Sequence, residues 1–176
     1  MQTPDSESAI DLRALRDRQH ITDLIHRYCR SMDRMDAELG YSIWHEDGIA
    51  DYGAEVYQGS GRGLIDFACV QHRRALCHTH QVTNILIELD GDRAGSESYV
   101  TSVVRFMEGD KTRQVTTWAR YLDRWSRRAG RWGIDKRIAI RDFDEITDVT
   151  STIRSSRGTR DRSDPSYEVL QSSALG

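Results

Sequence analysis

The stretch His78-Thr-His-Gln-Val-Thr-Asn-Ile-Leu-Ile-Glu-Leu89, followed at once by Asp90-Gly-Asp92, decides the fold. It is rich in β-branched and apolar side chains, contains no proline, and ends in an Asp-Gly step, so it reads as a long strand entering a tight hairpin. The same signature returns downstream. Residues 94–107 run into Glu108-Gly-Asp110, residues 112–125 into Ala129-Gly-Arg131, and residues 132–143 complete a fourth strand. Consecutive strands joined by such short turns predict an antiparallel meander.

Upstream the period changes. Leu12, Leu15, Ile21, Leu24, Ile25, Tyr28 and Met32 recur mostly at steps of three and four, the stripe of an amphipathic helix. Residues 36–44 read as a second, short helix interrupted by Gly40. Residues 49–52 and 55–58 read as two short strands around Gly53, and residues 64–76 return to a helical pattern. Helices followed by long antiparallel strands indicate an α+β domain. A curved sheet of this length, wrapped around a helix, forms a cone whose mouth opens on a concave, mostly apolar pocket. The domain is expected over 9–147. Residues 148–176, rich in Ser, Arg and Asp and holding Pro165, read as a tail that is mobile or wraps a neighbouring subunit.

Composition narrows the function. At 176 residues, with 38% hydrophobic and 30% charged side chains, the chain suits one globular core. A net charge of -3 gives no reason to expect a nucleic-acid partner. The apolar runs are too short to span a bilayer, so no membrane partner is expected. The start, Met-Gln-Thr-Pro-Asp-Ser-Glu-Ser, has neither a basic nor an apolar export region. Cys29, Cys69 and Cys77 are odd in number and lack metal-type spacing. These features lead to an expectation of reduced thiols and a cytoplasmic setting.

Two residues carry the chemical signal. Asp33 ends the first helical segment and His80 lies near the start of the first long strand. A carboxylate that orients an imidazole makes a general base usable near neutral pH. His78 shares a sheet face with His80, since side chains alternate with period two. Its open readings are a metal pair with His80, a pocket residue, or an alternate base. A metal would need a third ligand, and Glu88 is distant along the strand, so neither metal nor cofactor is expected. Tyr28 reads equally as core packing or as a hydrogen-bond donor to a leaving or carbonyl oxygen. Arg137 and Arg141 fall on one side of the last strand and would clamp an anion or oxygen if that side lines the pocket. Trp44, Trp118 and Trp125 read as pocket walls or as core, whereas Trp132, beside the Gly130 turn, reads as structural.

The order of elements, with several short motifs, resembles the SnoaL-like branch of the nuclear transport factor 2 superfamily. The motifs are Arg18-Gln-His-Ile-Thr-Asp-Leu-Ile-His-Arg-Tyr28, Met32-Asp33, His80-Gln-Val-Thr-Asn84, Leu89-Asp-Gly-Asp92-Arg-Ala94, Arg120-Tyr-Leu-Asp123 and Gly130-Arg-Trp132. The resemblance implies a cone-shaped α+β barrel, with helices packed on a curved, mixed, mainly antiparallel sheet. It is strongest to the scytalone dehydratase, hexachlorocyclohexane dehydrochlorinase and bile-acid 7α-dehydratase branch, whose Asp and His positions match Asp33 and His80. Tyr28, five residues before Asp33, fits the bile-acid dehydratase pattern.

What the resemblance implies is a cofactor-independent lyase, acting on a small apolar, aromatic or alicyclic substrate in aromatic-compound catabolism. Asp33, His80 and Tyr28 form the expected catalytic set, with His78, Arg141, Trp44, Trp118 and Asn84 contacting substrate. Fold alone does not assign activity. An isomerase or cyclase, and a non-catalytic binding or dioxygenase-subunit protein, remain open. Apolar side chains on both faces of the strands around Val100 and Val115 point to a homotrimer or homodimer joined through the outer sheet face.

Overall fold

A computed structural model describes residues 6–150 and 157–172. The first helix, α1 (Ser6–Asp33), buries Ile21, Ile25, Tyr28 and Met32, the three- and four-residue stripe expected of a core-facing helix. It stops where Met35 takes a positive φ of 47°, after which Asp36 caps α2 (Ala37–Tyr41) by accepting the Leu39 amide at 3.2 Å. Next come β1 (Trp44–Asp51), β2 (Gln58–Ser60) and α3 (Gly61–Arg73), the last capped by Ser60 accepting from the Gly63 amide. The long strands β3 (Cys77–Asp90), β4 (Arg93–Glu108), β5 (Lys111–Arg128) and β6 (Arg131–Asp148) follow, then α4 (Ser166–Ser172).

The sheet order is β2-β1-β6-β5-β4-β3. The four long strands form the expected antiparallel meander, and β1 lies parallel to β6, which makes the sheet mixed. The β5–β6 turn shows why local chemistry decides this part. Ala129 and Gly130 have φ values of 49° and 78°, the paired positive values of a type I′ hairpin, whose twist matches that of the strands. Register shifts at Thr83/Leu86 in β3–β4, and at Trp118/Ala119 and Arg124/Trp125 in β5–β6, bend the sheet around α1.

Two local expectations need correcting. The helix expected over 36–44 ends at Tyr41, and Trp44 opens β1, its side chain buried in the core. Residues 55–57 form a turn rather than a strand, because the Val56 and Tyr57 amides both bond the Gly53 carbonyl. The hairpin itself exists one step later, with Ile49 opposite Ser60 and Asp51 opposite Gln58.

The core lies between α1, α3 and the concave face of the sheet. Trp125 and Trp132 are buried with their indole nitrogens bonded to Ser96 Oγ at 2.8 Å and Asp17 Oδ1 at 3.0 Å. On the convex face, the Trp118 ring stacks on Phe143 at 4.8 Å, with Phe143 and Tyr99 exposed beside it. Residues 157–172 lie against their own chain near the end of α1. Arg162 and the Tyr167 hydroxyl both bond Asp36, and Arg34 pairs with Asp164 at 3.4 Å. The rest of the expected tail, 151–156 and 173–176, lies outside the described residues. Among the described residues, no helix is long and apolar enough to cross a membrane.

Candidate active site

The end of α1 abuts the first turn-length of β3, and this junction joins Asp33 to His80. The Asp33 carboxylate makes two contacts with one residue: Oδ1 meets His80 Nδ1 at 2.7 Å, and Oδ2 accepts the His80 backbone N–H at 3.1 Å. An ionised carboxylate only accepts, so Nδ1 carries the ring proton and Nε2 the lone pair. Both side chains are largely shielded, at 17% and 9% exposure, which strengthens the interaction over a surface pair.

His80 lines a cavity of about 240 Å³ enclosed by α1, α3 and the sheet. A cavity of roughly 150 Å³ holds a benzene, so one substituted ring fits. Its lining includes the apolar Met32, Leu64, Phe67 and Val100 and a cluster of Tyr28, Tyr52 and Tyr121. The Tyr28 and Tyr52 hydroxyls bond each other at 2.8 Å, and the Tyr28 and Tyr121 rings meet edge-on at 5.6 Å. Burial, first of all, and then the neighbouring tyrosines raise the pKa of all three, so each stays a protonated donor.

Beneath this cluster lies Arg137, fully buried and bound by Asp123 through two 2.7 Å contacts. Its guanidinium sits 4.1 Å from the centres of both the Tyr28 and Tyr121 rings. Burial opposes its charge, but the Asp123 carboxylate more than compensates and holds its pKa above the ordinary value. Arg141, two residues beyond Ala139 on the same strand face, also lines the cavity, with its side chain largely exposed at the opening and paired to Asp144 at 3.3 Å.

The remaining candidates lie elsewhere. His78 is buried behind the cavity wall, with Nε2 2.9 Å from the Met32 carbonyl and Nδ1 3.2 Å from Arg160 Nη1. Arginine only donates, so Nδ1 accepts and Nε2–H donates to Met32, which leaves no free nitrogen for a base or a ligand. Trp44 belongs to the core, and Trp118 points to the convex face because its neighbours Thr117 and Ala119 point into the cavity. Asn84 is exposed at the β3 register shift with φ 48°, a conformation asparagine tolerates better than most residues. Among the described residues, no group of three His, Cys, Asp or Glu side chains is arranged to hold a metal.

Sequence reasoning missed His72, Tyr52 and Tyr121. His72 had a readable signal: it follows Leu64 and Ala68 at four-residue steps on the inward face of α3. Its ring stacks on His78 at 4.0 Å and lies 5.6 Å from that of His80. Burial, with the adjoining His78 and His80, lowers its pKa from the ordinary 6.5 to about 3. Between these values the unfolded chain binds a proton on this residue that the folded chain does not. Folding stability should therefore fall as pH drops from 6.5 towards 3, by up to ~1.4 kcal/mol per pH unit for this histidine. Burial depresses His78 in the same direction. Urea unfolding at pH 7, 6 and 5 measures the slope, which His72→Phe should flatten; an unchanged slope in that variant would contradict the assignment.

The sequence model of the SnoaL-like domain matches residues 13–138. Among curated proteins none matches the sequence. Among solved structures, the chain is similar to the hexachlorocyclohexane dehydrochlorinase LinA-type3 from Novosphingobium barchaimii, with 21% identity, coverage of 83% of this chain and 99% of that one, and a TM-score of 0.70. A putative scytalone dehydratase from Novosphingobium aromaticivorans aligns with 16% identity, coverage of 81% and 93%, and a TM-score of 0.66. A protein described as NTF2-like with a cystatin-like fold, also from N. aromaticivorans, aligns with 25% identity, coverage of 78% and 90%, and a TM-score of 0.62. The structural likenesses agree with the helices-and-curved-sheet architecture, and the sequence match covers most of the chain: it belongs to the SnoaL-like domain family.

Proposed function

We propose that this protein is a cofactor-independent lyase in which His80 removes a proton from carbon and Asp33 holds and stabilises the imidazolium. The observation that carries this reading is the 2.7 Å Asp33–His80 contact, with the imidazole lining a ring-sized cavity. Asp33 binds Nδ1, so Nε2 is the nitrogen left to take the proton. His78 supports the assignment of His80 as base, because both of its own nitrogens are engaged.

The electron pair released from the C–H bond forms the new double bond and expels a group from the neighbouring carbon. Water or halide could leave in this way. For an aldehyde to leave, His80 would instead take the proton of a hydroxyl whose carbon becomes the aldehyde carbonyl, while the C–C electron pair passes to the other carbon, which the imidazolium then protonates. Tyr28 and Tyr52 supply protonated hydroxyls, and Arg141 supplies a positive charge at the opening, where an anionic leaving group exits. General base catalysis contributes roughly 10²–10⁴-fold, so the remaining acceleration falls to positioning in a site shielded from water. The dehydrochlorinase and dehydratase named among the structural relatives support the reaction class.

The tyrosine cluster favours a second reading. Hydrogen-bond donors above a buried cation also suit an enolate, so the same base could run an isomerisation or cyclisation in which nothing leaves. Mass spectrometry separates the two. Purified protein incubated with hydroxylated and halogenated single-ring compounds should yield a product lighter by water, hydrogen halide or an aldehyde. A product of unchanged mass selects the isomerase, and no turnover across a broad panel removes the enzyme reading.

The protein works as a homotrimer or homodimer, with the convex patch around Trp118, Phe143 and Tyr99 covered by a second copy. Light scattering after size exclusion should give a multiple of the chain mass; a monodisperse 20.2 kDa species overturns this. Its three cysteines are free, which suits the reducing cytoplasm.

A further inference from the structure

His72 is the one cavity histidine that the proton-transfer scheme leaves without a task. We propose that His72 is a specificity-determining residue that hydrogen-bonds a hydroxyl substituent on the substrate ring, next to the carbon that His80 deprotonates. This deepens the lyase reading and rests on it for the position of the reacting carbon.

Three observations carry it. First, His72 lines the cavity from α3, while His80 lines it from β3, and their ring centres are 5.6 Å apart. One small ring can therefore present a C–H bond to His80 and a neighbouring substituent to His72. Second, His72 Nδ1 is enclosed by protein and has no hydrogen-bond partner. The Met32 carbonyl, which accepts from His78 Nε2 at 2.9 Å, also lies near the His72 ring but takes no hydrogen bond from Nδ1. With Nδ1 shut in, Nε2 is the nitrogen through which the ring can meet a ligand. Third, the ring is held in place rather than free to turn away. It stacks on His78 at 4.0 Å, and Arg160 anchors that pair by donating to both His78 Nδ1 and the His72 carbonyl.

The chemistry then selects the substituent. His72 stays a neutral imidazole at any working pH, because its burial and the adjacent histidines disfavour the charged form. A neutral imidazole presents a donor on one nitrogen and an acceptor on the other. A hydroxyl both donates and accepts, so it matches Nε2 in either tautomer. A carbonyl matches only one tautomer, and a carbon-bound halogen offers no comparable partner. Ser102 and Thr117, on the sheet side of the cavity, add hydroxyl groups consistent with an oxygenated ring.

Phenol and chlorobenzene are suitable probes, since each fits one ring into the cavity and neither has a leaving group next to an acidic C–H. Their dissociation constants can be measured by ligand-observed NMR for the wild type, His72→Phe and His72→Gln. The wild type should bind phenol more tightly than chlorobenzene. His72→Phe should lose ~5–10-fold for phenol, the scale of one hydrogen bond, with no loss for chlorobenzene, and His72→Gln should recover part of it. In wild-type protein carrying ¹⁵N-histidine, phenol should shift the His72 ring nitrogens and chlorobenzene should not. This readout stands even where a substitution impairs folding. Absence of saturable phenol binding, equal phenol affinity in His72→Phe, or unmoved His72 signals on phenol binding overturns the proposal. Asp33→Asn, carried through the same titration, keeps the two ideas apart: retained turnover in that variant refutes the dyad and leaves the His72 result standing.

Discussion

His80→Ala should lower kcat by roughly 10²–10⁴-fold on the true substrate, the range that a positioned general base supplies. Asp33→Asn should cost a similar amount for a different reason. The side chain is isosteric, and its carbonyl oxygen can still accept the His80 backbone N–H, as Asp33 Oδ2 does now at 3.1 Å. Its amide then faces His80 Nδ1, now 2.7 Å from Oδ1, and donates to it. That forces the proton onto Nε2 and removes the lone pair that takes the substrate proton. The variant should keep its fold and its unfolding midpoint while losing turnover, a separation that a merely structural aspartate would not give. Because the two residues act as one unit, the double variant should be little slower than either single one. Steady-state rates with unfolding curves on the same preparations check all three, and wild-type kcat in either single variant would refute the dyad.

The largest effect on stability should come from the ion pair under the tyrosines. Asp123→Leu leaves the Arg137 guanidinium buried with no counter-charge, and should cost about 3–5 kcal/mol in urea unfolding. Arg137→Met added to that variant should recover most of the loss, since buried ion pairs replaced by apolar side chains are often neutral. Recovery should be incomplete, because Arg137 also lies against the faces of Tyr28 and Tyr121. A double-mutant cycle isolates the coupling. Near-additive losses would mean that Arg137 and Asp123 contribute independently.

How much of the site could be read in advance differs from residue to residue. Asp33 and His80 were legible because each sits at a boundary the chain marks locally: the end of an apolar stripe, and the start of a long strand. Arg137 and Arg141 were placed on one side of the last strand by parity alone. Trp118 was misjudged because alternation assigns residues to one of two faces but does not say which face is concave. His78 and His80 share a face in sequence, yet only one reaches the cavity, because Arg160 and the Met32 carbonyl occupy the other.

The sequence by itself determined α1, α3, the four long strands and their order, since these follow from period, turn residues and caps within a few residues of each position, whereas α4 (Ser166–Ser172) was read as part of a tail. Only the tertiary structure decided that β1 would lie parallel to β6, and that His72 and Tyr52 would join Tyr28 around one cavity. Those contacts link segments far apart along the chain. They depend on how the bulged sheet closes over α1, a property of packing that no local window carries.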